Sequence, residues 1–156
     1  MTSRQQDPAG LIGVGYQGRT VEELITQLHA LGVSRLVDVR LTPLSRKRGL
    51  SKTALGQALQ DAGIVYEHRR ELGNPKDNRP GFAGTGAARN QARTRYAELL
   101  AQPQARQALE DVAAAGRQER VAVLCFEADE DQCHRQVLIQ EVQRRLGAGT
   151  DARGGQ

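Results

Sequence analysis

Four short apolar runs alternate with amphipathic stretches along this chain, and this alternation predicts its fold. Short apolar runs that are rich in valine, isoleucine and leucine are typical of buried strands. The runs are LIGVG at 11–15, RLVDVR at 35–40, IVYEH at 64–68 and RVAVLCFE at 120–127. The last run is apolar almost without interruption, which indicates burial on both faces, as in a parallel sheet.

Helical periodicity fills the intervals between these runs. After the first run, Thr20 and Glu23 have the spacing of a capping box, and Gly32 closes the helix. A second helix is predicted to begin at Ser51 and to end at Gly63. Further helices are predicted over 91–101, from Pro103 to about Ala115, and along the apolar stripe of Leu138, Val142 and Leu146.

The alternation of strands and helices predicts a single three-layer α/β domain over residues 11–147. Its sheet is expected to be mostly parallel and doubly wound, with at least four strands. Residues 1–10 are expected to form a flexible N-terminal tail, and residues 148–156 a disordered C-terminal tail. The stretch RRELGNPKDNRPGFAGTGAARN at 69–90 is polar and shows no periodicity, so it is predicted to be a loop that is either functional or disordered.

The composition is that of a soluble globular protein, with 38% hydrophobic and 26% charged residues. No apolar run approaches the roughly 18 residues of a membrane-spanning helix, and the N-terminus lacks the apolar core of a signal peptide. We therefore expect a cytoplasmic protein without a membrane partner. Because thiols stay reduced in the cytoplasm, a disulfide between Cys125 and Cys133 is not expected.

Positive charge is concentrated in the middle of the chain. The net charge of the chain is +4, yet residues 46–95 hold eleven lysines and arginines and only four acids. This excess predicts an anionic partner, either a phosphate-bearing small molecule or a nucleic acid. A solvated arginine-rich surface is the alternative interpretation.

Polar residues follow all four predicted strands. In a doubly wound sheet, ligands bind beyond the carboxyl ends of the strands, and those ends carry Tyr16, Asp38 with Arg40, His68 and Glu127. Asp38 and Arg40 share one face of a strand and cannot both lie in an apolar core without partners. They are interpreted as a carboxylate for acid–base chemistry or ligand binding and an arginine for phosphate. A locally capping aspartate paired with the arginine is the alternative.

Two neighbouring segments extend this predicted site. Ser45 and Arg46 follow the second strand closely, and an arginine fork suits bidentate phosphate binding. The turn GYQGRT at 15–20 leads into a helix whose first backbone amides, at 21–23, are predicted to be free for an anion. Glycines at 13, 15 and 18, followed by Asp38, raise dinucleotide binding as an alternative.

The segment CFEADEDQCHRQVL at 125–138 holds both cysteines. Cys125 lies within a strand and is predicted to pack in the core. Cys133 lies near a helix N-terminus beside His134 and Arg135, which favours a reactive thiolate, whereas the acidic run before it opposes one. Glu127, Cys133 and His134, with Asp38, are an alternative metal-binding set, although their spacing matches neither CxxC nor HExxH.

Several segments, in their order along the chain, closely resemble the DUF488 family of small bacterial and archaeal proteins. They are GYQGRTVEELITQL, LVDVRLTPLSRKRGLSK, GIVYEHRRELGNPKDNR and VLCFEADEDQCHR, and the resemblance covers about residues 11–145. It implies a fold and a site more firmly than a reaction. Many members carry GHS where this chain has GYQ. The positions that the resemblance marks are Tyr16, Asp38, Arg40, Ser45, Arg46, Leu72, Gly73, Glu127, Cys133, His134 and Arg135.

These observations lead to three hypotheses. The first is an enzyme, a hydrolase or transferase, that acts on a phosphate-bearing substrate such as a nucleotide or a nucleic acid. Three arginines would hold the anion, and four other side chains would act as acid, base or nucleophile. The arginines are Arg40, Arg46 and Arg135, and the other four are Asp38, Glu127, Cys133 and His134.

The second hypothesis is a nucleic-acid-binding module without catalysis. The third is a metal-binding or redox protein that uses Glu127, Cys133 and His134. No motif in the chain identifies a cofactor.

Overall fold

The computed structural model of the chain describes residues 10–40, 50–125 and 135–154, and it confirms the predicted α/β domain. These residues form four strands and six α-helices. The strands are β1 (Gly10–Gly15), β2 (Arg35–Asp38), β3 (Val65–His68) and β4 (Arg120–Cys125). The helices are α1 (Val21–Ala30), α2 (Lys52–Asp61), α3 (Arg79–Ala83), α4 (Gly86–Leu100), α5 (Pro103–Gln118) and α6 (Arg135–Gly154).

The four strands form one sheet in the order β1-β4-β2-β3, and every pair is parallel. Gly15 is in register with Cys125, and Asp38 is in register with both Leu124 and His68. The carboxyl ends of all four strands therefore meet along one side of the sheet, which we call the carboxyl edge. The central strand β4 is buried from Val121 to Leu124, as its continuous apolar sequence predicts.

Helices cover both faces of the sheet. On one face, which we call the α1/α2 face, leucines of those two helices pack against Leu36 and Leu124. On the opposite face, which we call the α5 face, side chains of α4, α5 and α6 pack against Val37 and Val123. Successive residues of a strand point to opposite faces, so β1, β2 and β4 each supply residues to both cores.

The helix ends follow the local sequence signals. Thr20 Oγ1 accepts a hydrogen bond from the Glu23 amide at 3.1 Å, and Glu23 Oε1 accepts one from the Thr20 amide at 2.8 Å, which confirms the predicted capping box. Gly32 and Gly63 follow α1 and α2 with φ angles of +72° and +80°, a region that favours glycine. Ser51 is the N-cap residue of α2, but its side chain makes no capping hydrogen bond.

The stretch predicted to be a long loop is folded into short helices, so that prediction is wrong. A helix predicted to begin at residue 91 begins at Gly86, and α3 precedes it. The Asn78 Nδ2 amide donates to the Ala92 carbonyl at 3.0 Å, and the Tyr96 hydroxyl donates to the Leu72 carbonyl at 2.5 Å. These anchors join residues far apart in sequence, and for that reason no local periodicity indicates them.

The sequence predicted a tail at each end of the chain, and the structure describes only the C-terminal one. The α6 backbone is helical to Gly154, whereas the sequence predicted a disordered tail from residue 148. The low helix propensity of Gly147 and Gly149 is the reason for the earlier predicted end. The predicted N-terminal tail falls on residues 1–9, outside the described residues. Within the described part of the chain, no helix has the length and apolar character needed to cross a membrane.

Candidate functional site

Three of the predicted site residues lie together at the carboxyl edge. Tyr16 follows β1, whereas Asp38 ends β2 and Arg40 follows it, on the other side of β4; all three residues are buried. Arg135 is the first residue of α6, and only its backbone is described. The remaining predicted residues lie outside the described residues: Ser45, Arg46, Glu127, Cys133 and His134.

Asp38 and Arg40 form a buried, bidentate ion pair. Asp38 is 0% exposed and Arg40 is 7% exposed. Arg40 Nε donates to Asp38 Oδ1 at 2.8 Å, and Arg40 Nη2 donates to Asp38 Oδ2 at 2.6 Å. The Arg40 amide adds a third hydrogen bond to Oδ1 at 3.1 Å. The two residues share a face because they are two apart along an extended chain, and the fork geometry of the arginine suits a carboxylate.

Two tyrosines complete this cluster. The Tyr66 hydroxyl donates to Asp38 Oδ2 at 2.6 Å. The Arg40 guanidinium carbon lies 5.2 Å from the centre of the Tyr16 ring, within the range of a cation–π interaction. Tyr66 is not among the residues that the sequence predicted. The alternation in IVYEH places Tyr66 on the same face as His68, but only the strand order brings that face beside Asp38.

The Arg40 guanidinium is almost fully engaged within the protein. Nη1 donates to the Leu50 carbonyl at 2.6 Å and lies 3.4 Å from the Tyr16 hydroxyl. Together with the two bonds to Asp38, these contacts use four of its five N–H groups. The geometry is therefore that of the alternative interpretation, an arginine paired with its neighbouring aspartate, and it leaves at most one N–H for an anion.

The charge states of the cluster follow from burial and from Asp38. Burial alone would lower the pKa of the Arg40 guanidinium, but the hydrogen bonds and charge of Asp38 outweigh it and raise the pKa above its ordinary value. Burial raises the pKa of Tyr66, and Asp38 raises it further, against a smaller opposing effect of Arg40. At neutral pH, Arg40 is therefore charged and Tyr66 is a neutral hydrogen-bond donor.

Asp38 has little capacity left for acid–base chemistry. Its two oxygens accept four hydrogen bonds, from the Arg40 amide, Arg40 Nε, Arg40 Nη2 and the Tyr66 hydroxyl. Four is about the number of lone-pair sites on a carboxylate. This geometry favours a positioning role for Asp38 over the predicted role of general acid or base.

His68 ends β3 at the same edge and is held by the backbone of Arg40. Its Nε2 lies 2.8 Å from the Arg40 carbonyl oxygen, and its side chain is half-buried. Among the described residues, none forms a hydrogen bond with Nδ1. The sequence placed His68 at a strand end but did not include it among the site residues.

The start of α1 does not offer the free amides that the sequence predicted. The Glu23 amide is occupied by Thr20 Oγ1, so the prediction is wrong at that position. Glu22 and Glu23 also place two negative charges in the first turn of the helix. Acidic residues there already complement the helix dipole, so dinucleotide binding at this turn gains no support.

The predicted metal site falls on residues that the structure does not describe, except for Asp38. In the described ranges, no group of three or more histidine, cysteine, aspartate or glutamate side chains could hold a metal ion. The metal-binding alternative therefore stays a prediction about Glu127, Cys133 and His134.

A second group of ion pairs lies on the α5 face, and we call it the edge network. Arg35 pairs with Glu67 at 2.8 Å and with Glu119 at 3.0 Å. Arg69 pairs with Glu67 and, at 3.2 Å, with Asp111. The side chains of Arg35, Arg69, Glu67 and Glu119 are each about a quarter exposed, so water reaches this network.

Comparison with known proteins identifies a family whose function is unknown. The sequence profile described as "Domain of unknown function DUF488" matches residues 20–142, so the chain belongs to this family, as its motifs predicted. No curated protein and no solved structure matches the chain. These comparisons assign no chemistry to the site.

Proposed function

We propose that this protein is an enzyme that acts on a phosphate-bearing substrate, a nucleotide or a nucleic acid, at the carboxyl edge of its sheet. The observation that carries the proposal is the buried pair of Asp38 and Arg40, together with the bond from Arg40 to the Leu50 carbonyl. Such pairs add little net stability over a well-packed apolar core. We infer that this pair fixes the backbone at a functional edge.

The backbone that the pair fixes flanks two predicted anion ligands. Arg40 precedes the segment 41–49 and Leu50 follows it, so one guanidinium holds both ends of the segment that carries Ser45 and Arg46. Because Arg40 itself is engaged, direct phosphate contacts are proposed for Ser45, Arg46 and Arg135. An arginine that is free to present its fork is suited to bidentate phosphate binding.

The proposed chemistry comes from the residues that follow β4. This strand is central and pairs with β2, with Leu124 in register with Asp38. Residues after β4 thus continue from a position beside the Asp38–Arg40 pair. Glu127, Cys133 and His134 are the proposed acid, base or nucleophile, which a hydrolase or transferase needs beside its anion-binding arginines.

The proposal is tested first by a search for turnover. Purified protein is incubated with p-nitrophenyl phosphate, bis(p-nitrophenyl) phosphate, nucleoside triphosphates and short DNA and RNA strands. Release of nitrophenol, phosphate or shortened strands is measured. Glu127→Gln is expected to lower kcat by about 10²–10⁴-fold, the usual contribution of a general acid or base. Full activity of both Glu127→Gln and Cys133→Ser would contradict the assignment.

A matched pair of arginine variants tests the anion site. Arg46→Ala and Arg48→Ala each remove one positive charge from the same segment. Arg46→Ala is expected to weaken substrate binding by about 10–100-fold, since a hydrogen bond to a charged group contributes about 1.5–3 kcal/mol. Arg48→Ala is expected to change binding by about twofold or less, because Arg48 is not among the proposed phosphate ligands.

The outcomes separate specific binding from general electrostatic attraction. Equal losses in Arg46→Ala and Arg48→Ala would contradict a defined phosphate site. Salt-sensitive binding of nucleic acid without any turnover would instead favour a binding module, because phosphate-backbone contacts weaken steeply as salt rises.

A further inference from the structure

We propose that His68 is a further acid–base group of this site and that it acts through Nδ1. This inference rests on the proposed function and adds a catalytic residue to it. His68 is the last residue of β3 and is in register with Asp38, so the imidazole lies at the carboxyl edge. The ring is half-buried, which holds it in place yet leaves it accessible to a ligand.

The hydrogen bond to Arg40 fixes the tautomer of the ring. Nε2 lies 2.8 Å from the Arg40 carbonyl oxygen, and a carbonyl oxygen can only accept a hydrogen bond. The neutral imidazole must therefore carry its proton on Nε2, which leaves the lone pair on Nδ1. A partner that fixes one ring nitrogen and so determines the role of the other is a general feature of functional histidines.

The anchor of the ring is itself rigid. The carbonyl that holds His68 belongs to Arg40, whose side chain is tied to Asp38 and to the Leu50 carbonyl. The position of the imidazole is thereby set by the most constrained residue of the cluster. A base whose position is fixed in advance needs no reorganisation during the reaction.

A second histidine provides an internal control. His29 Nε2 lies 3.0 Å from the Ala62 carbonyl oxygen, so the same reasoning gives it the same tautomer. His29 lies in the last turn of α1, just before β2, and therefore at the opposite edge of the sheet. The two histidines share one hydrogen-bond geometry and differ in where they lie, so they separate the effect of location from that of the hydrogen bond.

In the proposed hydrolysis, Nδ1 takes a proton from water while the water oxygen forms a new bond to phosphorus. The ester P–O bond then breaks, and its electron pair stays on the leaving oxygen. A second acid of the proposed site protonates that oxygen and regains its proton from solvent, while the imidazolium releases its proton to solvent and returns to its neutral form. No other reactant is needed, and the same steps apply when a substrate hydroxyl replaces water.

The first experiment tests the tautomer without any substrate. Long-range proton–nitrogen correlation spectra of labelled protein are recorded at alkaline pH, where imidazoles are neutral. The chain has three histidines, so His29→Gln and His134→Gln assign the signals. His68 is expected to carry its proton on Nε2. A proton on Nδ1, or an equal mixture of tautomers, would overturn the inference whatever the protein catalyses.

The second experiment tests the reaction. His68→Gln keeps an amide donor near the position of Nε2 but removes the base at Nδ1. With the substrate that the turnover search identifies, kcat is expected to fall by about 10²–10⁴-fold, with KM almost unchanged. His29→Gln is expected to change kcat by about twofold or less, as surface substitutions usually do. A folded His68→Gln protein with wild-type kcat would overturn the inference.

A third measurement keeps the two proposals distinguishable if no substrate is turned over. Inorganic phosphate is titrated into the wild-type protein, and the ring proton signals of the histidines are followed. A saturable shift of the His68 signals without a shift of the His29 signals supports His68 as a ligand-facing group, even if the proposed reaction fails. No shift at His68 while phosphate binds elsewhere would overturn its role.

Discussion

Two ionic clusters include residues of β2, and they differ in how much water reaches them. Asp38 points to the α1/α2 face of β2 and pairs with Arg40 away from water. Arg35 points to the other face and belongs to the edge network, where the side chains remain about a quarter exposed. In the Asp38–Arg40 cluster, the charged groups are buried and hydrogen-bonded to each other, whereas the edge network is a series of ion pairs that water can reach.

The difference shows that burial, and not the number of ion pairs, decides what such a cluster does. In a water-exposed network, solvent replaces a lost partner at little cost. In a buried pair, removal of one partner leaves a charge that nothing compensates. Asp38 and Arg40 can therefore hold a backbone in one geometry, and the proposed site depends on that geometry.

Removal of the negative charge of Asp38 is expected to have the largest effect on stability. Asp38→Asn keeps the shape of the side chain but leaves the Arg40 charge buried and unpaired, which costs about 3–5 kcal/mol. Urea unfolding measures the loss. The double variant Asp38→Leu with Arg40→Met is the control, and it is expected to lose less because it leaves no buried charge. A loss below about 1 kcal/mol in Asp38→Asn would mean that this pair contributes no more stability than an exposed surface pair does.

Removal of the Tyr66 hydroxyl is expected to have an intermediate effect. Tyr66→Phe breaks one hydrogen bond to a charged acceptor, which contributes about 1.5–3 kcal/mol. Tyr96→Phe is the comparison, since its hydroxyl donates to the neutral Leu72 carbonyl, a bond of about 0.5–1.5 kcal/mol. Chemical unfolding of both variants gives the order. A larger loss in Tyr96→Phe would show that the charge of Asp38 adds little to the bond.

Disruption of the edge network is expected to have the smallest effect. Arg35→Ala should cost about 0.2–1 kcal/mol at low salt, as exposed pairs do. In about 1 M salt most of that loss should disappear, because the charges are screened over a few ångströms. Unfolding of wild type and variant at both salt concentrations measures this. A loss that is unchanged by salt would mean that Arg35 acts by packing.

The same variant has a predictable pH dependence. Burial alone would raise the pKa of Glu119, but hydrogen bonds from Ser34 and Arg35 and the charge of Arg35 outweigh it, so the pKa is lowered. A lowered carboxyl pKa gives stability that is present above the unfolded-state pKa and is lost as pH falls through the folded-state pKa. The stability difference between wild type and Arg35→Ala should therefore shrink on acidification. An increase would contradict the direction of the shift.

Features that depend on local patterns were predictable from the sequence. The capping box of Thr20 and Glu23, the glycines after α1 and α2, and the buried strand β4 were each predicted and are present. They were predictable because each depends on residues within a few positions of one another or on the period of a single element. The α/β class follows from the alternation of such elements.

The short helices after β3 could not be predicted from local patterns. Its short helices are held by bonds from Asn78 to the Ala92 carbonyl and from Tyr96 to the Leu72 carbonyl. These partners are 14 and 24 residues apart. Their pairing depends on tertiary packing, so a window of sequence shows only a polar stretch without a period.

In the candidate site, too, the sequence determined some features and the tertiary structure determined others. Alternation along a strand determined that Asp38 and Arg40 share a face and that an unpartnered charge could not remain buried there. Tertiary structure decided that the Arg40 guanidinium binds Asp38 and the Leu50 carbonyl. It also decided that the Tyr66 hydroxyl donates to the Asp38 carboxylate and that His68 binds the Arg40 carbonyl. Tyr66 and His68 come from the neighbouring strand β3, and Leu50 lies ten residues after Arg40 in the sequence. Only the order of strands in the sheet brings them together, because hydrogen bonds act over a few ångströms in space and not over distance in sequence.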